Sequence, residues 1–349
     1  MRVPVRALPA VLAIVVAGVG CAQAPLETSA PTPAGTAGSG RPTDFLACQV
    51  TASGGVDDRS FNQSAFAGLE RAERELGVEV EVSESQTESD YQHNISASVE
   101  RGCDIIVTVG SALEVATADA ARGHPDQAFA IVDVDFRGAD GEDVTYDNVR
   151  ELTFATDQAA FLAGYLAAGM SKTHKVGTFG GSKIPTVTQF MDGFHAGVQH
   201  HNREKHTDVQ VLGWDPADPD SGLFSGDLED SDAARGITEA LLEGGADIIL
   251  PVAGPAGLGA AAAVEESGEE VSAIWIVTDG CETAVQFCEV FLTSVMKNVE
   301  HAVLETVKAT LDGGFEGGLY TGTLDNDGVG IAPLLEFVPE LLGDLRVEL

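Results

Sequence analysis

Basic residues, cysteines and enzyme motifs are scarce in this sequence, and each scarcity argues against a class of function. Nineteen Lys and Arg stand against 55 Asp and Glu, which gives a formal net charge of −36. Phosphate and nucleic-acid surfaces need Lys and Arg, so this balance argues against a nucleic-acid partner. The acidic residues are scattered rather than blocked, which is typical of a solvated surface and says little about a ligand.

Motifs that carry metal or enzyme chemistry are also missing. The five cysteines show no CxxC spacing and the eight histidines are dispersed, so we expect no metal and no cofactor. The sequence has no GxSxG elbow, no Walker phosphate loop and no GxGxxG turn. Gly180-Gly181 lacks the third glycine and the acidic partner of a dinucleotide site. We therefore expect a binding protein rather than an enzyme.

The first 43 residues differ from the rest in composition. Two early arginines, an apolar run over 7–17 and small residues before Cys21 predict a signal peptide over 1–20. Cys21 resembles the acylated cysteine of bacterial lipoproteins, although Gly18 stands where leucine is usual. Plain secretory cleavage is the alternative. Residues 21–43 are rich in Ala, Pro, Thr and Gly and predict a flexible tether.

From residue 44 onward, short β-branched runs alternate with helical patterns, and the alternation occurs in two successive sets. The first set predicts strands over 45–52, 78–83, 105–110 and 129–134, with helices over 62–76 and 91–101. The second predicts strands over 175–179, 209–213, 247–252, 274–278 and 291–293, with helices over 158–170, 186–200, 231–243 and 298–311.

Alternation of this kind predicts an α/β fold built from parallel βαβ units. We expect two Rossmann-like lobes with parallel sheets, joined by crossover hinge strands. The expected lobes are 44–152 plus 279–311 and 153–278 plus 312–349. Ligands of open parallel sheets bind beyond the carboxyl ends of the strands. The candidate site segments are therefore 54–62, 110–111, 180–190, 254–259 and Asp279.

Several of these segments, in the same order along the chain, resemble one known family. The most specific is 54–63, Gly-Gly-Val-Asp-Asp-Arg-Ser-Phe-Asn-Gln, which is similar to a family signature that opens the first helix. The other matching segments are 161–168 (FLAGYLAA), 176–181 (VGTFGG), 252–257 (VAGPAG) and 292–297 (LTSVMK). The ordered set resembles the basic-membrane-protein, or purine-nucleoside receptor, family of ABC-transporter substrate-binding lipoproteins.

The resemblance implies the type I periplasmic-binding-protein fold and capture of a nucleoside, a purine in particular, between the lobes. It implies ABC permease and ATPase subunits as partners and a monomer held at the extracytoplasmic face of the cell membrane by its lipid. One segment departs from the family. The usual Gly-Val-Asp-x-Asp-Gln reads Val-Thr-Asp-Gly-Cys-Glu at 277–282, so Asp279 is kept while the Asp-Gln pair is lost.

The candidate ligand contacts follow from the chemistry of a nucleoside. Phe61 and Phe190 would stack on the base, with core packing as the alternative for each. Asp279 would accept from vicinal sugar hydroxyls, or cap a helix, and Lys297 would donate to sugar oxygens, or be exposed. Aspartates at 57–58 and Asn62 would read base edges or cap the first helix. The complete predicted set is Asp58, Ser60, Phe61, Asn62, Ser111, Phe190, Gly254, Asp279 and Lys297.

If Cys21 is acylated, four cysteines remain, and these allow three pairings. Cys281 and Cys288 are too far apart on a continuous helix to be bonded, so their pairing would need a closed loop, which we interpret as a lid at the cleft. Cys48 and Cys103 fall on strands that neighbour one another in the common doubly wound order. We expect 281–288 and 48–103 disulfides, with four buried free thiols as the alternative.

Two further functions fit the same fold. One is a receptor for a sugar or another small polar solute, and the other is a sensor that hands its ligand to a signalling partner instead of a permease. Sugar sites usually carry several aromatic platforms, whereas this sequence has only two tryptophans. This difference favours the nucleoside interpretation.

Overall fold

The computed structural model describes residues 44–136, 144–268 and 270–333. The predicted signal peptide, Cys21 and the tether therefore lie outside the described residues. Within these ranges the chain forms two six-stranded sheets with helices between successive strands. This arrangement confirms the predicted α/β fold with two lobes.

The first lobe is a wholly parallel sheet flanked by four helices. Its strands are β1 (Leu46–Val50), β2 (Glu79–Ser83), β3 (Ile105–Val109), β4 (Ala128–Val132), β5 (Val149–Phe154) and β11 (Gly318–Gly322). Its helices are α1 (Phe61–Leu76), α2 (Glu88–Arg101), α3 (Glu114–Gly123) and α9 (Val299–Leu311). The strand order is β11-β5-β4-β3-β1-β2. All five residues of β3 are buried, because helices cover both faces of a parallel sheet.

The second lobe repeats the plan with one antiparallel edge strand. Its strands are β6 (Lys175–Gly180), β7 (Gln210–Leu212), β8 (Ile248–Val252), β9 (Ser272–Val277), β10 (Phe291–Lys297) and β12 (Val329–Ile331). Its helices are α4 (Thr156–Met170), α5 (Pro185–Lys205), α6 (Ser231–Glu243), α7 (Gly257–Ser267) and the single turn α8 (Gly280–Thr283). The order is β12-β10-β9-β8-β6-β7, with β12 antiparallel to β10. None of the helices in the described ranges combines the length and apolarity needed to cross a membrane.

The chain passes between the lobes after β5, after β10 and between β11 and β12, so the expected lobe boundaries were wrong in two segments. Residues 279–297 belong to the second lobe, because β10 pairs in parallel with β9. Residues 312–322 belong to the first lobe, because β11 pairs with β5. Sheet partners at these crossings lie far away in sequence, and local patterns do not reveal them.

Helices α4 and α5 pack backbone to backbone, which fixes the start of α5 beside the lobe boundary. A Cβ atom on Gly164 would lie 2.0 Å from the carbonyl oxygen of Phe194, and one on Gly197 would lie 2.0 Å from that of Phe161. Only glycine permits such an approach. Pro185 at the first turn of α5 then sets where the helix begins.

The structure contains both disulfides that the sequence pairs. Cys48 on β1 is bonded to Cys103, which precedes the neighbouring strand β3, with Cα atoms 5.9 Å apart. Both side chains are buried in the first lobe. Cys281 is bonded to Cys288 with Cα atoms 4.5 Å apart. The intervening chain is not a continuous helix, because α8 ends before a separate 3-10 helix at Val285–Val290.

The segment closed by the Cys281–Cys288 bond does not form the expected lid. It packs beside α7 on the second lobe. No residue of 278–290 is among the described residues that border the cavity between the lobes. The Cys281–Cys288 bond closes this segment into a short loop. Packing against α7 sets where the loop lies.

Candidate functional site

A cavity of about 520 Å³ lies between the carboxyl ends of the strands of both lobes. The wall from the first lobe is largely polar and consists of Ala52, Ser53, Gly54, Asp57, Asp58, Arg59, Ser60, Phe61, Asn62, Val109, Gly110, Ser111, Ala112 and Asp133. The wall from the second lobe is largely apolar and consists of Ile184, Thr186, Val187, Phe190, Leu228, Glu229, Val252, Gly254, Pro255, Leu258 and Ile276. The volume is in the range of small-molecule sites.

Asp58 both borders the cavity and caps α1. Its Oδ1 accepts hydrogen bonds from the backbone N–H groups of Ser60 at 2.8 Å and Gln63 at 3.1 Å, and its Oδ2 accepts from Asn62 N at 3.0 Å. Burial raises the pKa of Asp58, and these backbone donors oppose that rise. The capping role considered from the sequence is therefore present. It fixes the carboxylate at the helix N-terminus, with the cavity on its open side.

Asn62 ties the start of α1 to the end of β1. Its side-chain Oδ1 accepts from Ala52 N at 3.1 Å, and its Nδ2 donates to the carbonyl of Ser53 at 3.4 Å. Ser60 beside it is buried, and its Oγ has no hydrogen-bond partner within the described chain. An unpaired buried hydroxyl on a cavity wall is available to a bound solute.

Phe61 and Phe190 reach the cavity from opposite lobes. Phe61 is the first residue of α1 and is half-buried, whereas Phe190 on α5 is 1% exposed and also belongs to the core. The ammonium of Lys297 lies 4.8 Å from the Phe61 ring centroid and 5.1 Å from that of Phe190. Both rings therefore flank one buried cation as well as the cavity.

Lys297 is buried rather than exposed and is not among the residues that border the cavity. Its Nζ donates to Asp133 Oδ2 at 2.5 Å, and Phe154 adds a third aromatic ring at 5.8 Å. Burial lowers the pKa of Lys297, and the Asp133 carboxylate opposes that shift. Because Lys297 ends β10 and Asp133 follows β4, this ion pair joins the two lobes at the base of the cleft.

Glycines at two strand ends bring backbone to the cavity. Gly110 follows β3 with φ 89° and precedes Ser111, and Gly254 follows β8 with φ 56°. A side chain is disfavoured at these positive φ values. Ser111 and Gly254 both border the cavity, as the strand-end rule predicts.

Asp279 is not among the residues that border the cavity, and its contact with a ligand stays a prediction. Its Oδ1 accepts from Cys281 N at 2.9 Å and caps α8. Ile276 is the residue of β9 that borders the cavity. The next residue, Val277, has φ 71°. It forms a tight turn in which Thr278 N donates to Ile276 O. The helix cap considered from the sequence is therefore present.

A hydrogen bond joins the lobes at the exposed rim of the cavity. Ser53 Oγ donates to Glu229 Oε1 at 3.0 Å. Asp227 holds the Glu229 loop by accepting from the backbone N–H groups of Glu229 and Asp230. The rim contact therefore connects the β1–α1 loop of the first lobe to the segment that precedes α6.

Sequence reasoning missed two acidic residues of the cavity wall. Asp133 lies at the end of the predicted strand 129–134, so the strand-end rule that selected Asp279 was also available for it. Glu229 lies in a long loop between β7 and α6, where neither periodicity nor a motif points to a site. The set of Asp58, Ser60, Phe61, Asn62, Ser111, Phe190 and Gly254 does meet at one cavity.

A family model described as ABC transporter substrate-binding protein, PnrA-like, matches residues 45–342. The fold and this match define a substrate-binding protein of an ABC transporter, a class of binding proteins that act outside the cytoplasm and are not enzymes. The chain belongs to the Bmp family of these proteins, which confirms the resemblance stated from the sequence.

Curated relatives are similar over most of their length. The ABC transporter nucleoside-binding protein BmpA of Lactococcus lactis is 32% identical over 316 residues, covering 84% of this chain and 83% of the relative. Basic membrane protein A of Borreliella burgdorferi is 30% identical over 266 residues, covering 76% and 72%. An uncharacterized lipoprotein of Pyrococcus abyssi is 27% identical over 307 residues, covering 85% and 72%.

Solved structures of the same class support the fold. The solute-binding protein of an ABC transporter system from Aeropyrum pernix superposes with a TM-score of 0.72 at 26% identity, covering 86% of this chain and 80% of the other. A second, from Conexibacter woesei, gives 0.68 at 19% identity, covering 87% and 94%. These neighbours confirm the type I periplasmic-binding-protein fold.

Proposed function

We propose that this substrate-binding protein captures a nucleoside, a purine in particular, and delivers it to the permease and ATPase subunits of an ABC importer. The observation that carries the proposal is the pair of phenylalanines, Phe61 and Phe190, that reach one cavity from opposite lobes. A flat base stacks well on aromatic faces, each contributing about 1–3 kcal/mol. Polar side chains on the first-lobe wall supply partners for a sugar and for base edges.

The charge of the cavity wall agrees with an uncharged solute. Asp57, Asp58, Asp133 and Glu229 border it, with Arg59 as the single cation among its lining residues. Acidic walls disfavour a phosphate-bearing ligand. The name of the Lactococcus lactis relative, a nucleoside-binding protein, supports the same solute class.

A thermal-shift panel with the purified mature protein tests this function. Adenosine, guanosine or inosine at millimolar concentration should raise the melting temperature by several degrees, because a ligand that binds only the folded state stabilises it. Free ribose should do little. If only sugars or amino acids stabilise the protein, its ligand is a different small polar solute and the nucleoside proposal is wrong.

We also propose that a lipid on Cys21 anchors the protein at the outer face of the cell membrane. The support is the sequence around Cys21 together with the Pyrococcus abyssi relative, which is called a lipoprotein. In detergent phase partitioning of the protein made in a bacterial host, the wild type should enter the detergent phase and Cys21→Ser should stay in the aqueous phase. If the wild type also stays in the aqueous phase, the signal peptide is cleaved without lipidation of Cys21.

A further inference from the structure

Val277 has a backbone conformation that its side chain disfavours. Its φ is 71°, in the left-handed region that glycine enters freely and that a β-branched residue rarely adopts. The turn spans three residues and closes through a hydrogen bond of 2.9 Å from Thr278 N to Ile276 O. A turn with this hydrogen bond and a positive φ is the strained form of the γ-turn. Such strain persists only where the surrounding structure dictates the conformation.

The strained turn lies directly behind the apolar wall of the cavity. Ile276 borders the cavity, and the next residue, Val277, is 1% exposed and belongs to the same core cluster. A change of φ at Val277 would swing the chain on one side of the turn relative to the other. Relaxation of the turn would therefore displace the end of β9, where Ile276 lies.

The segment that follows the turn is anchored on both sides. Gly280 N donates to Ser294 Oγ on β10 at 3.0 Å in a buried contact. The Cys281–Cys288 disulfide ties α8 to the 3-10 helix that packs on α7, and Leu258 of α7 also borders the cavity. Helix α8 has only four residues and cannot hold a fixed position by itself, because an isolated turn of helix is unstable. The covalent bond supplies the missing anchor.

We propose that the Cys281–Cys288 disulfide holds the Val277 turn in its strained conformation and thereby positions Ile276 on the cavity wall. The two cysteines and Val277 are positioning residues, since none of them borders the cavity. The effect on ligand binding rests on the proposed nucleoside function. This role differs from the lid expected from the sequence, because the loop acts on the wall from behind.

Two truncations of Val277 test the strain itself. Val277→Ala and Val277→Gly leave similar space in the core, but only glycine adopts φ 71° without strain. At an ordinary position in a strand or helix, alanine gives the more stable protein of the two. We therefore expect Val277→Gly to melt at the same temperature as Val277→Ala or above it, measured by scanning calorimetry without ligand. A clearly lower melting temperature for Val277→Gly would overturn the strain at this turn.

Calorimetric titration with inosine tests whether the disulfide acts through the turn. With valine or alanine at position 277, the double substitution Cys281→Ala/Cys288→Ala should weaken inosine binding by about 3- to 10-fold, which is typical of coupled neighbouring sites. With glycine at 277, the same double substitution should weaken binding by less than about twofold, because an unstrained turn needs no anchor. A disulfide that acted only on overall stability would show no such rescue by glycine.

The other disulfide provides the matched control. Cys48 and Cys103 link β1 to the start of its neighbour β3, and neither cysteine borders the cavity. Cys48→Ala/Cys103→Ala should lower the melting temperature and keep the inosine affinity of its background. All titrations are made at a temperature where circular dichroism shows each variant folded. Should Cys281→Ala/Cys288→Ala fail to fold, wild type and Val277→Gly are compared after reduction with a phosphine, with the same expected difference.

The outcomes separate this inference from the function beneath it. If no nucleoside binds the wild type, the proposed function fails, and the melting temperatures of the Val277 variants with and without the disulfide still test the turn. If inosine binds and its affinity survives loss of the Cys281–Cys288 bond, or falls equally with glycine at 277, only the positioning role of the disulfide is overturned.

Discussion

The two walls of the cavity differ in chemistry although both are built from strand ends and helix starts. The first-lobe wall carries hydrogen-bonding side chains, among them Asp58, Asn62 and Asp133, which the fold holds in place by caps and ion pairing. The second-lobe wall is mainly apolar, with Glu229 and Thr186 as its polar side chains. Each wall supplies one aromatic ring.

The two walls therefore contribute differently: the first orients a solute, and the second supplies apolar contact area. Hydrogen bonds on the first wall require alignment and therefore determine which solute fits, whereas apolar surface on the second wall is non-directional. Phe61 and Phe190 can be compared directly, because Phe61 borders the cavity from the polar wall and Phe190 borders it from the apolar wall.

The largest expected difference is between Phe190→Ala and Phe61→Ala in stability. Phe190 is 1% exposed within the core, so its truncation should cost about 3–5 kcal/mol of unfolding free energy. Phe61 is half-buried at the start of α1, so its truncation should cost roughly 1–2 kcal/mol. Denaturant unfolding of both variants without ligand measures this difference.

The same pair should behave alike in binding. Each truncation should weaken nucleoside binding by about 1–3 kcal/mol, because each removes one stacking face. Phe194→Leu is a control, since Phe194 is buried on the same helix and does not border the cavity; it should lower stability and keep ligand affinity. Unchanged affinity in Phe61→Ala would remove the aromatic sandwich from the proposal.

The smallest expected effect lies at the rim, where Ser53 meets Glu229 across the cleft. This hydrogen bond is exposed, so Ser53→Ala should change unfolding free energy by less than about 1 kcal/mol. If the contact helps to hold the lobes together, ligand dissociation should become roughly 2- to 5-fold faster, which stopped-flow release of a fluorescent nucleoside analogue measures.

A matched serine checks the rim prediction. Ser96→Ala on α2 also removes one hydroxyl hydrogen bond, to Gln92 O, and Ser96 is not among the residues that border the cavity. It should leave the dissociation rate unchanged. Equal rates for Ser53→Ala and the wild type would show that the rim bond is not part of the bound state.

Much of the architecture was predictable from the sequence because its signals are local. Buried runs such as 105–109 mark central strands, and the strand-end rule located Ser111, Gly254 and the β1–α1 loop. The strands β5, β11 and β12 escaped prediction. They are mixed in polarity or short, and they form only because partners from distant segments pair with them at the crossings.

The sequence by itself determined the two-lobed α/β fold, the family and seven residues that meet at one cavity, because periodicity and turn chemistry act over a few residues. Only the tertiary structure decided which of two acids that follow buried strands borders the cavity. Asp279 and Asp133 both follow buried strands, and nothing local separates them. The turn at Val277 leads Asp279 to the N-cap of α8, whereas Lys297, 164 residues away, holds Asp133 on the wall. Such a choice depends on charges and backbone brought together from both lobes, which no sequence window contains.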